Sequence, residues 1–358
     1  MMSAETLELT TAPTTNSDDF MDYALRHGFG DLHFKVDPQT GMKAIIAIHN
    51  TKLGPALGGC RYIEYPNTAA AIDDAMRLAR GMSYKSALAN LPLGGGKSVI
   101  IKPRHPHDRT AYMHCFGQFV QELGGRYITA LDSGTQLSDM DIIAEHTPYV
   151  ASLSRYSGDP SPSTARGVLR GIQAAVQFKL GKERMRGLHI AIQGLGHVGY
   201  HVACHLQELG VQLTVADINP AMVDLAVREL GATAVSTADI HKVPCDVFSP
   251  NALGAIMNDI TIPQLQTTII AGAANNQLAH TYHGQRLHDQ GILYAPDYVI
   301  NAGGVIFAAS KYFVSPVSVT NEQIDGIQTV LLAIFERSRI ENRPSSDIAD
   351  TMAQEILA

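Results

Sequence analysis

The sequence predicts a two-domain α/β protein: a mixed α/β domain first, then a doubly wound domain built on a parallel sheet. Three observations predict it. The chain has 358 residues, more than one typical core holds. From Leu188 onward, short apolar runs alternate with helical stretches, as strands joined by crossover helices do. Ser157-Gly158-Asp159-Pro160-Ser161-Pro162 reads as a linker. It separates about residues 1–150 from about 151–324. Residues 325–358 are helical and are expected to return to the first domain. Hydrophobic residues make up 45% and charged residues 17%, which suits a well-buried interior.

The elements follow in order. Residues 1–18 are rich in Thr and Ser and carry no basic residue, so a loose tail is expected rather than a signal peptide. Asp19 to His27 reads as a helix. Met42 to His49 and Lys97 to Ile101 read as strands. Between them, Ala71, Ile72, Ala75, Met76, Leu78 and Ala79 recur at helical spacing within Thr68 to Met82. Thr110 to Leu123 is a second helix and Arg126 to Ala130 a short strand. A long helix runs from Thr164 to Leu180. Strands are then expected at Leu188–Ile192, Leu213–Ala216, Asp246–Phe248, Thr268–Ala271 and Ile292–Tyr294. Asn321 to Ile340 and Ser346 to Leu357 are helical, parted by Pro344, with Ser345 or Ser346 available to cap the second.

Gly194-Leu195-Gly196-His197-Val198-Gly199 directly follows the first of these later strands, and Asp217 ends the second. A strand, a glycine turn, a helix and a second strand tipped by an acid form a dinucleotide-binding unit. Gly194 permits the tight turn. Gly196 lets the backbone approach a pyrophosphate, and Gly199 lets helix and strand pack closely. The helix start at His197 and Val198 offers N–H groups to phosphate. Asp217 accepts from ribose hydroxyls and repels a 2′-phosphate, so NAD is expected over NADP. The domain is therefore expected to be of the Rossmann type.

Two lysines stand in glycine-rich, otherwise uncharged surroundings: Gly81-Met82-Ser83-Tyr84-Lys85 and Leu93-Gly94-Gly95-Gly96-Lys97-Ser98. The second is not a P-loop. Leu91 stands where the first P-loop glycine belongs, and the segment enters a strand rather than a helix. Asp132 follows an apolar strand in a turn, and Asn301-Ala302-Gly303-Gly304 adds a further glycine loop.

These segments, with Gly54-Pro55-Ala56-Leu57-Gly58-Gly59-Cys60-Arg61, Thr129-Ala130-Leu131-Asp132, Ala274-Asn275-Asn276-Gln277 and Ala295 to Gly304, resemble the glutamate/leucine/phenylalanine/valine dehydrogenases, and most closely the leucine-acting members. The resemblance covers about His33 to Gly304 and rests on six ordered motifs. The resemblance implies reversible NAD-dependent oxidative deamination of a branched-chain L-amino acid to its 2-oxo acid and ammonia. It implies that Lys85 clamps the substrate carboxylate. Lys97 acts as general acid/base, its proton affinity lowered by burial and by Lys85. Asp132 shuttles protons to the departing ammonia. The Gly58 carbonyl and the Asn301 side chain hold the amino group. Thr164 and the Ala273–Asn275 turn lie against the nicotinamide. Leu57, where glutamate-acting members carry lysine, makes the side-chain pocket apolar, and the Ala130 methyl narrows it against an aromatic ring. Ile324 and Ile327 are secondary pocket candidates. The rivals are a phenylalanine, tryptophan or valine dehydrogenase and, from another class, a catalytically silent NAD-binding regulator.

The remaining features exclude other classes. A net charge of −7 argues against a nucleic-acid partner, and no apolar run suits a bilayer. Cys60, Cys115, Cys204 and Cys245 are scattered and read as reduced thiols of a cytoplasmic protein. His105/His107 and His280/His283 read as surface residues without a matched acid, so no metal is expected. A homo-oligomer, dimer or octamer, is expected.

Overall fold

The computed structural model describes residues 20–26, 28–155 and 158–358. The expected tail, residues 1–18, lies outside the described residues, as do Asp19, His27 and Ser157. Two sheets organise the chain. The first contains β1 (Asp31–Val36), β2 (Lys43–Asn50), β3 (Ala56–Ile63), β4 (Gly94–Ile101) and β5 (Tyr127–Leu131), in the order β1-β2-β4-β3-β5. β2 runs antiparallel to β1 and β4, and β3 runs parallel to β4 and β5. Its helices are α1 (Phe20–Arg26), α2 (Thr68–Leu88), α3 (Arg109–Glu122) and α4 (Leu137–Ala144).

Two of these strands, β1 and β3, were not expected, and β4 starts three residues early. For β3 and β4 the physical reason is glycine. Gly58 and Gly59 weaken any strand pattern, yet both are required by close contacts. A Cβ on Gly58 would meet the Gly96 carbonyl oxygen at 1.9 Å, and one on Gly59 the Asp132 carboxylate at 2.5 Å. Gly94 to Gly96 are likewise strand residues and form no loop. A Cβ on Gly95 would lie 2.0 Å from the Ser83 backbone nitrogen, so the glycine lets α2 press onto β4. The helix α2 also continues past Met82, which places Lys85 in its last turn.

The second sheet is parallel throughout: β6 (His189–Gln193), β7 (Gln212–Ala216), β8 (Thr233–Ala234), β9 (Val247–Pro250), β10 (Ile269–Ile270) and β11 (Leu293–Tyr294). Its order, β11-β10-β9-β6-β7-β8, is that of a six-stranded dinucleotide-binding sheet. The long helix α5 (Ser161–Leu180) enters it, and α6 (His197–Glu208), α7 (Pro220–Leu230), α8 (Tyr282–Asp289), α9 (Asp297–Ile300) and α10 (Gly303–Tyr312) follow. Two helices end the chain. α11 (Val317–Glu341) lies along α5, and α12 (Ser345–Leu357) returns to α2 while also touching α8 and β11. Ser345 does not cap α12. Its hydroxyl donates to the Tyr294 carbonyl and ties the helix start to β11. One apolar core joins the two sheets: Leu57 and Ala130 belong to the same buried cluster as Val168, Ile190, Ile324 and Leu331. Among the described residues no helix is long and apolar enough to cross a membrane.

Candidate active site

The first sheet brings Lys97 and Asp132 together. Lys97 stands on β4, 5% exposed, and pairs with the Asp132 carboxylate just past the end of β5. The other Asp132 oxygen accepts from the Ser133 N–H at 2.6 Å and lies 3.5 Å from Arg61 Nε. Burial pushes the Asp132 carboxyl up, but the Lys97 charge and hydrogen bond, the Ser133 N–H and Arg61 outweigh it and hold the group below its usual range. Arg61 is anchored in turn by Asp74 on α2, at 2.7 Å. The Asp132 turn is pinned to the sheet by Thr135, whose hydroxyl donates to the Cys60 carbonyl at 3.0 Å.

Lys85 reaches across to the second sheet. Its Nζ donates to Asn301 Oδ1 at 2.8 Å, and Asn301 Nδ2 donates to the Ala273 carbonyl at 3.0 Å and to Asn275 Oδ1 at 2.7 Å. Burial pulls the Lys85 ammonium down to about 8. Asp297 opposes the shift and Lys97 adds to it. Lys85 thus faces Asn301, and Lys97 faces Asp132. Asp297, half-buried, is raised by desolvation even though it accepts from the Gln277 N–H at 3.0 Å and the Tyr298 N–H at 2.6 Å.

The glycine turn between β6 and α6 has its expected shape. Gly194 adopts φ +92°, in the left-handed region. Gly196 is the residue before α6, exposed, and a Cβ there would meet nothing within 4 Å. No side chain caps this helix start, which His197, also exposed, and Val198 open. A Cβ on Gly199 would strike the Gly194 carbonyl at 2.1 Å. Leu195 is fully buried, and its N–H donates to Asp217 Oδ2 at 2.5 Å. Asp217 Oδ1 accepts from the Asn219 N–H at 2.7 Å. Thr164, in the first turn of α5, lies against the Asn301 loop: a Cβ on Gly304 would come within 2.9 Å of its hydroxyl.

The apolar candidates are buried. Leu57 is 2% and Ala130 9% exposed. Ile327 packs over Gly167 of α5. The Gly58 carbonyl accepts from the enclosed Tyr127 hydroxyl at 2.7 Å, and that hydroxyl lies 2.9 Å from Ser98 Oγ. Tyr127, Arg61, Asn251 and Asp297 carried no sequence signal of their own, although three of them stand inside or beside the glycine motifs. Asn251 shows what was hidden. Its side chain accepts from the Ala273 N–H at 2.9 Å and packs beside Gly199, joining the β6–α6 glycine turn to the Asn301 network. One expectation is corrected. His283 is fully buried, not a surface residue, and it has an acid, Asp259, at 3.3 Å. It also accepts the His280 N–H, so it fastens α8.

Comparison with known proteins agrees with this architecture. Residues 30–149 match the family model described as Glu/Leu/Phe/Val dehydrogenase, dimerisation domain, and residues 219–336 match that of Glutamate/Leucine/Phenylalanine/Valine dehydrogenase. Leucine dehydrogenase of Bacillus subtilis is 47% identical over 340 residues, 94% of this chain and 93% of that protein. L-tryptophan dehydrogenase of Nostoc punctiforme is 45% identical over 316 residues, 88% and 89% of the two chains. The crystal structure of an L-tryptophan dehydrogenase from Nostoc punctiforme superposes with a TM-score of 0.87 at 41% identity, covering 94% of this chain and 98% of that one. A hetero-hexameric glutamate dehydrogenase from Thermus thermophilus shares the fold, with a TM-score of 0.72 at 19% identity over 94% and 93% of the two chains. With both sheets, the paired lysines and these relatives in view, the chain belongs to the Glu/Leu/Phe/Val dehydrogenase family of amino-acid dehydrogenases.

Proposed function

We propose that the protein catalyses the reversible NAD-dependent oxidative deamination of a branched-chain L-amino acid, leucine foremost, to its 2-oxo acid and ammonia. The observation that carries this reading is the junction of Lys85, Lys97, Asp132 and Asn301 where the two sheets meet, with Asn301 bonded to the Ala273–Asn275 turn. A silent nucleotide-binding protein has no use for a buried lysine–aspartate pair beside a second, desolvated lysine. Residues 1–150 with 325–358 are assigned to substrate binding and assembly, and 151–324 to the nucleotide.

The chain's own residues divide the work. Lys85, charged below about pH 8, receives the substrate carboxylate. Asn301 and the Gly58 carbonyl orient the amino group. Bound NAD supplies the acceptor for the hydrogen leaving the α-carbon. With the proton of the pair moved onto Asp132, neutral Lys97 takes a proton from the water that attacks the imine carbon, and Asp132 gives its proton to the departing ammonia. Their ion pair lets one proton pass between them without exposing either group to bulk water. The turn residues Gly194 to Gly199 fit a pyrophosphate: an open Gly196, an uncapped helix start, and an acid, Asp217, at the strand end where a ribose would lie.

Leu57 and Ala130 support an aliphatic substrate, since a carboxylate side chain would be left unpaired against them. The relatives named for tryptophan and valine keep those substrates as rivals. The free thiols, Cys60, Cys115, Cys204 and Cys245, support a cytoplasmic setting, and the dimerisation-domain match supports a homo-oligomer, dimer or octamer. A panel of L-amino acids with NAD and with NADP, followed by absorbance of the reduced nucleotide, tests the reading. Highest kcat/KM for leucine with NAD is expected. Highest kcat/KM for an aromatic substrate would overturn the leucine assignment, and no turnover with any amino acid would overturn the reaction.

A further inference from the structure

Away from the cleft, three metal-ligating side chains converge where α3 meets the end of α4. His114 lies within α3, and Glu145 and His146 directly follow α4, continuing its turn through the His146 N–H to the Ile143 carbonyl at 3.1 Å. His114 Nδ1 and His146 Nε2 stand 2.9 Å apart, their rings perpendicular, and Glu145 Oε2 lies 3.7 Å from His114 Nδ1. The three donor atoms fall within 4.8 Å of one another. Both histidines are half-buried and Glu145 is exposed, so an ion can enter from solvent and water can complete its shell.

The scaffold beneath them is closely packed. Met113, Phe116, Met140 and Ile143 bury the α3–α4 contact in one core. Gly117 lets the elements touch: a Cβ there would press the Ile143 carbonyl at 2.8 Å and the His146 Cβ at 3.1 Å. A tetrahedral ion with bonds of about 2.0–2.1 Å holds its donors roughly 3.3 Å apart. The observed 2.9 Å and 3.7 Å separations straddle that value, so small rotations of part-exposed side chains close the shell.

We propose that His114, Glu145 and His146 bind one divalent transition-metal ion of the zinc type per chain. Two imidazoles and one carboxylate select Zn²⁺, Ni²⁺ or Cu²⁺ over the oxygen-seeking Mg²⁺ and Ca²⁺. The ion is structural. It clamps α3 to the segment after α4, which pairs with β5 through the Thr129 N–H to Tyr149 carbonyl bond (3.0 Å) and the Ala151 N–H to Thr129 carbonyl bond (2.8 Å). The site escaped the sequence reading because its two histidines are 32 positions apart.

The test uses the full chain stripped with chelator. Titration with Zn²⁺ is expected to saturate at one equivalent per chain, with Mg²⁺ unable to compete. His114→Asn and His146→Asn are each expected to weaken the binding by about tenfold or more, and His105→Asn to leave it unchanged. Dehydrogenase activity of the metal-free variants should match that of the metal-free parent, since none of these residues reaches the cleft. Absence of a saturable equivalent, or equal affinity in His146→Asn, overturns the proposal. Should a variant fail to fold, Cu²⁺ paramagnetic resonance on the unaltered chain decides. Coupling to two imidazole nitrogens supports the site, and any other nitrogen count refutes it.

Discussion

The two glycine clusters, Gly94 to Gly96 and Gly194 to Gly199, look alike in composition and do opposite things. In the first, the absent side chains are filled by the protein itself: the Asn50 carbonyl, Ser83 and the Tyr127 ring would lie within 3 Å of added Cβ atoms. In the second, Gly196 faces open space. One cluster packs a strand so that Lys97 is driven into the interior. The other packs Gly194 against Ala252 and Gly199 against the Gly194 carbonyl and leaves the backbone bare at Gly196. A glycine run therefore permits close packing at most positions of both clusters, and the difference lies at Gly196, which is left open.

The largest effect expected from separating these two halves is catalytic. Lys97→Ala should lower kcat by about 10²–10⁴ while leaving the NAD dissociation constant nearly unchanged. Near-normal turnover would remove Lys97 from the chemistry. The glycines themselves give the next contrast. Gly95→Ala drives a methyl into the backbone of α2 and should destabilise the protein by about 1–3 kcal/mol or more in denaturant unfolding. Gly196→Ala should cost under about 1 kcal/mol of stability yet raise KM for NAD. Equal stability losses would abolish the distinction.

A pH experiment sharpens the lysine side. Lys85 is depressed to about 8, so its charge is complete well below that pH and fades as pH rises through it. Inhibition by an aliphatic monocarboxylate, which has no amine to titrate, should weaken toward tenfold per pH unit above about 8. A flat profile to pH 10 would mean that Lys85 does not hold the carboxylate. The smallest effect concerns the pocket. Ala130→Gly removes a methyl worth about 0.8 kcal/mol of apolar contact, so leucine kcat/KM should fall modestly while the phenylalanine-to-leucine ratio rises. An unmoved ratio would show that Ala130 does not face the substrate.

The sequence by itself determined the class of each half. Apolar alternation and the spacing from Gly194 to Asp217 are local properties, set by strand, turn and helix periods, and five strands of the parallel sheet follow them; the two-residue edge strand β8 was not legible. The lysine motifs were equally legible as residues. Their elements were not, because a glycine in a strand has no propensity to display and β3 is held by neighbours far along the chain. Tertiary structure alone decided that both lysines are drawn out of solvent, that Asp132 answers to Lys97 and Arg61 together, and that Asn301 reaches Lys85 from 216 positions away. Charge and burial act through space, and a linear pattern carries no distance between elements until the core that joins the two sheets has closed.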